Sequence, residues 1–133
     1  MDACAGPLLR ARTDLGADVA IWADVQKKHA AHALTADLSL AELASGAVFC
    51  GADALVVTGA STGQTTDPGH VTQATQAGRP VVVGSGITDE NIVDYVRSAS
   101  GVIVGSWLKT DGHWRSAVDE TRVTRLKSLI KSA

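Results

Sequence analysis

Two glycine-serine segments, each at the end of a valine-rich run, are the clearest candidates for a binding site in the sequence. The first is "VGSG", with Gly84, Ser85 and Gly86, and the second is "VGS", with Gly105 and Ser106. A bound phosphate needs several N–H donors at about 2.7–3.2 Å, and the backbone supplies them where no Cβ blocks the approach. The two hydroxyl groups add donors. The pair therefore predicts an anion-binding site, while a tight turn is the structural alternative for either segment alone.

A second polar concentration, "WADVQKKHAAH", follows the first apolar run. Alternation along a strand places Trp22 and Asp24 on one side, and in a barrel that side points inward. We predict that Asp24, Lys28 and His29 are catalytic, because a carboxylate and an ammonium group in one dry pocket can share proton transfer, and a desolvated lysine can form a Schiff base. His29 and His32 lack a third ligand nearby, so no metal site is predicted. A solvated loop is the alternative.

The loop "TGASTG" follows the second apolar run. Thr58 can hydrogen-bond a ligand, and Gly59 and Gly63 permit unusual backbone angles, so we predict that these three residues bind ligand. A purely structural turn fits the same residues. His70 and His113 are predicted to be surface residues.

Apolar runs and helical patterns alternate along the chain and predict the elements that position these loops. Ser39 precedes Glu42 by three residues, which is a capping box, and the Asp67-Pro68 pair is a typical helix start. The sequence predicts strands at 18–25, 53–59, 79–86 and 101–108, and helices at 39–52, 67–78, 88–100 and 118–132. Strands that are each followed by a helix predict one α/β domain, residues 1–133, with a parallel sheet.

An open doubly wound sheet and half of a (β/α)8 barrel both fit this alternation. A doubly wound nucleotide-binding sheet concentrates its glycines after the first strand, and neither GxGxxG nor GxxxxGK[ST] occurs. Here polar residues and glycines follow every strand, as in barrel enzymes, whose phosphate site lies after strands seven and eight. We therefore predict the carboxyl-terminal half of a (β/α)8 TIM barrel, with four parallel strands alternating with helices.

Composition excludes several functional classes. The chain has 133 residues, of which 45% are hydrophobic and 4% aromatic, and its net charge is -2. This charge provides no basic field for nucleic acid, and no run approaches the ~18 apolar residues of a membrane span. Cys4 and Cys50 are far apart and lack a CxxC partner, which indicates reduced thiols and an intracellular location, cytoplasmic or mitochondrial. No cofactor is predicted.

Five blocks occur in a fixed order along nearly the whole chain, namely "DACAGPLLRAR", "IWADVQKKHAAHALTADLSL", "ADALVVTGASTG", "PVVVGSGITDENI" and "GVIVGSWLKTDGHW" with "VDETRV". Together they resemble the BtpA/SgcQ family. The resemblance implies a (β/α)8 barrel and, for a cyanobacterial relative, a link to photosystem I biogenesis. The positions that match the family's motif blocks are Asp24, Lys28, His29, Thr58, Gly59, Gly63, Gly84, Ser85, Gly86, Gly105 and Ser106.

The resemblance also implies that family members are about twice as long, with four strand–helix units ahead of those present here. We therefore expect a truncated form without independent activity. A half-barrel leaves two edge strands unpaired and its inner face uncovered. Self-association, or pairing with an amino-terminal half, is accordingly expected.

Two functions remain open for the family. The first is an enzyme acting on a small phosphorylated metabolite, with the phosphate on the glycine-serine segments and with Asp24 and Lys28 near the reacting carbon. An isomerase, an aldolase-like lyase and a hydrolase all fit. The second is a non-catalytic assembly or stability factor that retains an anion pocket. The sequence does not decide whether the chain is an enzyme.

Overall fold

The computed structural model describes residues 4–16, 18–27, 30–59 and 64–133. After a first helix, strands and helices alternate. No helix within these ranges is long and apolar enough to cross a membrane. The elements are α1 (Ala5–Asp14), β1 (Trp22–Asp24), α2 (Leu40–Phe49), β2 (Ala54–Thr58), α3 (Pro68–Thr75), β3 (Val81–Gly84), α4 (Ile92–Ser98), β4 (Gly101–Ile103) and α5 (Glu120–Ser132), with 3-10 turns at Ala33–Thr35, Ser106–Leu108 and Thr110–Gly112.

The four strands form one parallel sheet in the order β1-β2-β3-β4. Ala23 lies opposite Leu55, Leu55 lies opposite Val81, and Val83 lies opposite Val102. Each strand thus pairs with the next strand along the chain, and one helix connects each pair. The sheet advances by one strand per strand–helix unit, and the predicted α/β alternation is confirmed.

The hydrophobic core lies between one face of the sheet and the helices. Strand residues two apart point to the same face, and Leu55, Val57, Val81 and Val83 are each no more than 2% exposed. The helices contribute buried residues to the same cluster, namely Leu40, Ala44, Val71, Ala74, Ile92, Tyr95 and Leu126.

Two helix starts follow the predicted capping chemistry. The Ser39 hydroxyl and amide both donate to the Glu42 carboxylate, at 2.7 and 2.8 Å, and the hydroxyl is the main cause of the lowered pKa of that carboxyl. The Asp67 carboxylate accepts a hydrogen bond from the Gly69 amide at 2.8 Å, with Pro68 as the first helical residue. Both predicted caps are confirmed.

The first strand, predicted at 18–25, is shorter in the structure. Trp22 faces Ala54, which is the first residue of β2, so the positions ahead of Trp22 have no strand partner in β2. The fourth strand, predicted at 101–108, ends at Ile103. The chain turns at Gly105 into the 3-10 turn Ser106–Leu108, where the Leu108 amide donates to the Gly105 carbonyl at 3.1 Å.

The third predicted helix begins later than expected, at Ile92 rather than at Thr88. The Asn91 side chain accepts from the Thr88 amide at 2.9 Å and donates to the Gly86 carbonyl at 2.8 Å. Because one amide side chain satisfies both main-chain groups, the residues after β3 form a tight turn before the helix.

An ion pair joins α1 to the amino end of β2. Arg12 Nη1 lies 2.7 Å from Asp53 Oδ2, which also accepts from the Ile21 amide at 2.8 Å. The hydrogen bond from Ile21 is the main cause of the lowered pKa of Asp53, and the Arg12 guanidinium adds to it. This pair lies at the amino edge of the sheet.

The sheet face turned away from the helices is open, and we call it the inner face. A cavity of about 600 Å³ lies along it, with mainly apolar residues around it. Trp22 on β1 is 56% exposed and Ile103 on β4 is 48% exposed. The inner face also carries Ala54, Val82 and Gly101.

Candidate functional site

A cavity of about 390 Å³ opens at the carboxyl ends of β1 and β2, and we call it the edge cavity. Ligands of parallel α/β folds bind at this edge, and small-molecule sites span about 300–1,000 Å³. Most of its polar residues carry hydrogen-bond donors. The residues lining the edge cavity are Gln26, Lys27, Ala30, His32, Thr58, Gly59, Gln64, Thr65, Asp67 and His70.

Thr58 brings an unsatisfied polar atom to this cavity. It is the last residue of β2, and a Cβ placed on Gly84 would lie 3.2 Å from Thr58 Cγ2. The Thr58 hydroxyl oxygen is buried, and it finds no hydrogen-bond partner among the described residues. Such a group costs about 1–3 kcal/mol. The hydroxyl is therefore a candidate contact for a bound ligand.

The hydrogen bond made by the His32 ring indicates which of its two nitrogens carries a proton. Its Nε2 atom lies 2.7 Å from the Lys27 carbonyl oxygen. A carbonyl only accepts hydrogen bonds, so Nε2 is the protonated nitrogen. In the neutral ring, Nδ1 then keeps its lone pair and can accept a proton or a hydrogen bond.

His70 also lines the edge cavity and is half-buried. It lies in the first turn of α3, two residues after Pro68. His113 is exposed, as predicted. The helix start at Asp67 thus orients an imidazole toward the mouth of the sheet.

Gly59 and Gly86 are required by a close backbone approach. A Cβ on Gly86 would lie 2.5 Å from the Gln64 carbonyl oxygen and 2.6 Å from Thr65 Cα. A Cβ on Gly59 would also overlap the Gln64 carbonyl. Residues 64–65 therefore lie across the ends of β2 and β3, and these two glycines have a packing role that the sequence did not reveal.

We call the glycine-serine ends of β3 and β4 the glycine tips, and the tip of β3 lies beside this segment. Gly84 pairs with Ile103, so the two tips are neighbours. Ser85 has φ 86°, and a Cβ on Gly105 would meet no atom within 4 Å. Within the described ranges, no carbonyl accepts from the main-chain amides of Gly86, Gly105 and Ser106.

Thr66 and Tyr95 hold the segment that covers the β3 tip. Thr66 is 1% exposed, and its hydroxyl donates to the Gly84 carbonyl at 3.4 Å. The Tyr95 hydroxyl donates to the Thr66 carbonyl. Burial raises the pKa of Tyr95, and the Asp67 and Asp94 carboxylates raise it further. The neutral phenol is thus favoured as a donor.

The turn after β3 is also tied to the last helix. Asp89 Oδ2 lies 2.6 Å from Arg125 Nε, and the Asp89 side chain is 17% exposed. This contact joins the turn after β3 to α5.

The structure brings only some of the predicted site residues together. Thr58 and Gly59 line the edge cavity, and the β3 tip lies next to it through Gly86. The β4 tip neighbours the β3 tip. Asp24 ends β1. Lys28, His29 and Gly63 lie outside the described residues, so their predicted roles stay predictions.

Sequence reasoning missed Lys27, Gln64 and His70 as cavity residues. Lys27 adjoins the predicted Lys28, and the "KKH" run alone does not indicate which lysine faces the cavity. Gln64 follows the glycine loop directly, and that position was the available signal. His70 could have been found from its place in the first turn of α3, at the carboxyl edge of the sheet.

Comparison with known proteins identifies the family. The BtpA family model matches residues 1–132. Since this match covers nearly the whole chain, the chain belongs to the BtpA family, and the resemblance found in the sequence is confirmed.

Curated relatives come from several lineages. An uncharacterized mitochondrial protein of Caenorhabditis elegans is 41% identical over 99% of this chain and 48% of its own length. An uncharacterized protein of Pyrococcus abyssi is 35% identical over 99% of this chain and 50% of its own length. The photosystem I biogenesis protein BtpA of Synechocystis is 40% identical over 88% of this chain and 41% of its own length. The chain thus spans about half the length of these relatives.

A solved structure shows the same fold. Phosphoribosyl anthranilate isomerase of Thermus thermophilus matches with a TM-score of 0.58 and 16% identity, over 84% of this chain and 48% of that chain. At this identity the likeness concerns the fold alone. The prediction of half of a (β/α)8 barrel is confirmed.

Proposed function

We propose that this member of the BtpA family binds a small phosphorylated metabolite at the carboxyl edge of its half-barrel, as part of an enzyme site. The phosphate would lie on the glycine tips, and the rest of the metabolite would occupy the edge cavity. The observation that carries the proposal is that Gly86 of the β3 tip lies against the cavity residues Gln64 and Thr65. The β4 tip neighbours the β3 tip, and no carbonyl of the described residues accepts from the amides of Gly86, Gly105 and Ser106. Convergent amides stabilise anions.

Proton transfer is the chemistry that the surrounding residues support. Asp24, Lys28 and His29 remain the proposed catalytic residues. His32 joins them, because its Nδ1 atom is left as a proton acceptor. An acid and a base close to a bound metabolite suit an isomerase, a lyase or a hydrolase. Four further strand–helix units would complete the mouth of the barrel, and an intracellular site, cytoplasmic or mitochondrial, is part of the proposal.

A paired ligand screen tests the proposal. Thermal shift and calorimetry would compare phosphate esters with the same compounds lacking phosphate, using the 133-residue chain and a full-length relative. We expect saturable binding of phosphate esters only, weakened about tenfold, which is about 1.4 kcal/mol, by Ser106→Ala. The control is Ser128→Ala on the exposed side of α5, which should bind normally. Equal binding of both ligand sets would refute the phosphate site.

An assembly or stability role is the second candidate. It is favoured by the 40% identity to the photosystem I biogenesis protein of Synechocystis. Incubation of bound phosphate esters with the full-length relative separates the two functions. Turnover that is lost in Asp24→Ala supports the enzyme, whereas binding without turnover supports the assembly factor.

A further inference from the structure

We propose that Arg122, in the first turn of α5, is the positioning residue of the proposed phosphate site. It orients the β4 tip so that the main-chain amides of the tip face the phosphate, and it does not itself contact the ligand. This role rests on the proposed function, because it assigns Arg122 to the binding of the same phosphate. It depends only on contacts between the chain that follows β4 and the start of α5.

The chain that follows the β4 tip is held by the amino end of α5. Arg122 Nη1 donates to the Trp107 carbonyl at 2.8 Å and to the Lys109 carbonyl at 3.0 Å. The Leu108 carbonyl lies between these two along the chain, and it accepts from the Asp119 amide at 2.8 Å. The start of α5 therefore binds three consecutive carbonyls, and Arg122 binds two of them.

The Arg122 guanidinium group is itself fixed by its neighbours. Its Cζ atom lies 5.4 Å from the centre of the Trp107 ring, which is within the range of a cation–π contact. Its Nε atom lies 3.8 Å from Asp119 Oδ2. The same carboxylate caps α5 by accepting from the Thr121 amide at 2.9 Å and from the Arg122 amide at 3.2 Å. Because its Nη1 donates to carbonyls and its charge lies beside a carboxylate, Arg122 acts on the loop rather than on a bound anion.

The carbonyls of the β4 tip are bonded, whereas its amides have no carbonyl partner in the part of the chain that the structure describes. The Leu108 amide donates to the Gly105 carbonyl at 3.1 Å, and the Lys109 amide donates to the Ser106 carbonyl at 3.0 Å. The C=O and N–H groups of a trans peptide point in opposite directions, so bonds that fix these carbonyls also fix the direction of the amides. Donors that are already oriented bind an anion more tightly than donors that must first be ordered.

Matched arginine variants test this role by calorimetric titration of the 133-residue chain with inorganic phosphate. Arg122→Met should weaken phosphate binding about tenfold, which is about 1.4 kcal/mol, because the two carbonyls lose their donor and the loop loses its orientation. Arg97→Met removes the same charge from the exposed side of α4 and should bind phosphate normally. Arg122→Lys keeps a cationic donor and should bind within about threefold of the wild type.

Hydrogen exchange in the absence of phosphate shows whether Arg122 acts through the tip. The amides of Leu108 and Lys109 donate to the carbonyls of the tip, and they should exchange about tenfold faster in Arg122→Met than in the wild type. In Arg97→Met and Arg122→Lys the same two amides should exchange at close to the wild-type rate. The amides of β3 should exchange equally slowly in every variant, which shows that the fold is intact.

Three outcomes would overturn the positioning role. If Arg122→Met weakens phosphate binding but leaves exchange at Leu108 and Lys109 unchanged, Arg122 contacts the phosphate directly. If exchange rises while phosphate binding stays the same, the orientation of the tip does not affect binding. The proposed function stands in both cases. If the wild-type chain does not bind inorganic phosphate, the positioning role is wrong, and the screen of phosphate esters then decides the proposed function separately.

Discussion

The Tyr95 hydroxyl donates its hydrogen bond to the main-chain carbonyl of Thr66. Tyr95 lies on α4, whereas Thr66 belongs to the segment that crosses the ends of β2 and β3. Thr66 in turn donates to the Gly84 carbonyl at 3.4 Å. One helix therefore holds the covering segment, and through it the glycine tip of β3, in place.

Tyr95→Phe should destabilise the fold by about 1–3 kcal/mol, because it leaves the Thr66 carbonyl buried without its donor. Urea unfolding followed by circular dichroism gives the difference. Hydrogen exchange should also rise at residues 64–66. Ser128→Ala removes an exposed hydroxyl from α5 and should change stability by less than about 0.5 kcal/mol. Equal stability of Tyr95→Phe and the wild type would show that the bond contributes nothing.

Gly86→Ala should destabilise the chain far more than Gly78→Ala, although both glycines have positive φ, 67° and 71°. At Gly78 a Cβ meets no atom within 4 Å, so only the left-handed backbone opposes it, at about 1 kcal/mol. At Gly86 the Cβ also overlaps the backbone of Gln64 and Thr65, and we expect a loss of about 3 kcal/mol or more. Urea midpoints of the two variants measure the difference, and similar values would contradict the close approach.

Much of this fold is predictable from the sequence, because apolar runs and caps are local signals. The Ser39–Glu42 capping box and the Asp67–Pro68 start both appear as expected. Strand lengths were overestimated since a strand ends where its neighbour does, as Trp22 shows by meeting the first residue of β2. The end of a strand therefore depends on the strand that it pairs with, and the sequence of the strand alone does not show it.

The candidate site is less predictable, because its contacts join distant parts of the chain. Gly86 belongs to a glycine-serine segment that predicts anion binding. In the structure, the absence of a side chain at Gly86 leaves room for the backbone of Gln64. His70 has the pattern of a surface histidine, and only the placement of α3 beside β2 brings it to the edge cavity. A sequence indicates the loops at the mouth of a barrel, but not which of them meet.

The ion pair at the amino edge predicts a dependence of stability on acid pH. The pKa of Asp53 is lowered from 3.8, so the folded state releases this proton more readily than the unfolded state. The resulting stabilisation is complete above the unfolded pKa and is lost as the pH falls through the folded pKa. The melting temperature should therefore fall between about pH 5 and pH 2 more steeply in the wild type than in Asp53→Asn.

The amide side chain of the Asp53→Asn variant can still accept the hydrogen bond from the Ile21 amide, so the comparison isolates the charge. Asp37→Asn changes an exposed carboxylate elsewhere and should keep the wild-type slope. If the melting temperatures of Asp53→Asn and the wild type fall equally steeply with pH, Asp53 has the same pKa in the folded and unfolded states.

Thr58→Val should affect the stability of the fold and the binding of a ligand in the edge cavity in opposite directions. Valine has nearly the shape of threonine, and it removes a buried hydroxyl that lacks a partner among the described residues. We expect the ligand-free variant to be as stable as the wild type or up to about 1 kcal/mol more stable, because no desolvated group remains. The same change should weaken the binding of a phosphate ester about tenfold, which is about 1.4 kcal/mol.

Thr66→Val is the matched control, since it removes a buried hydroxyl that does have a partner, the Gly84 carbonyl. That variant should lose about 1 kcal/mol or more of stability in the same urea experiment. If Thr58→Val instead loses stability to the same extent, the Thr58 hydroxyl has a structural partner and no role in ligand binding follows from its burial. If Thr58→Val raises the free energy of unfolding and Thr66→Val lowers it, the Thr58 hydroxyl is a polar group that reduces the stability of the fold. Residues of binding sites often have this property.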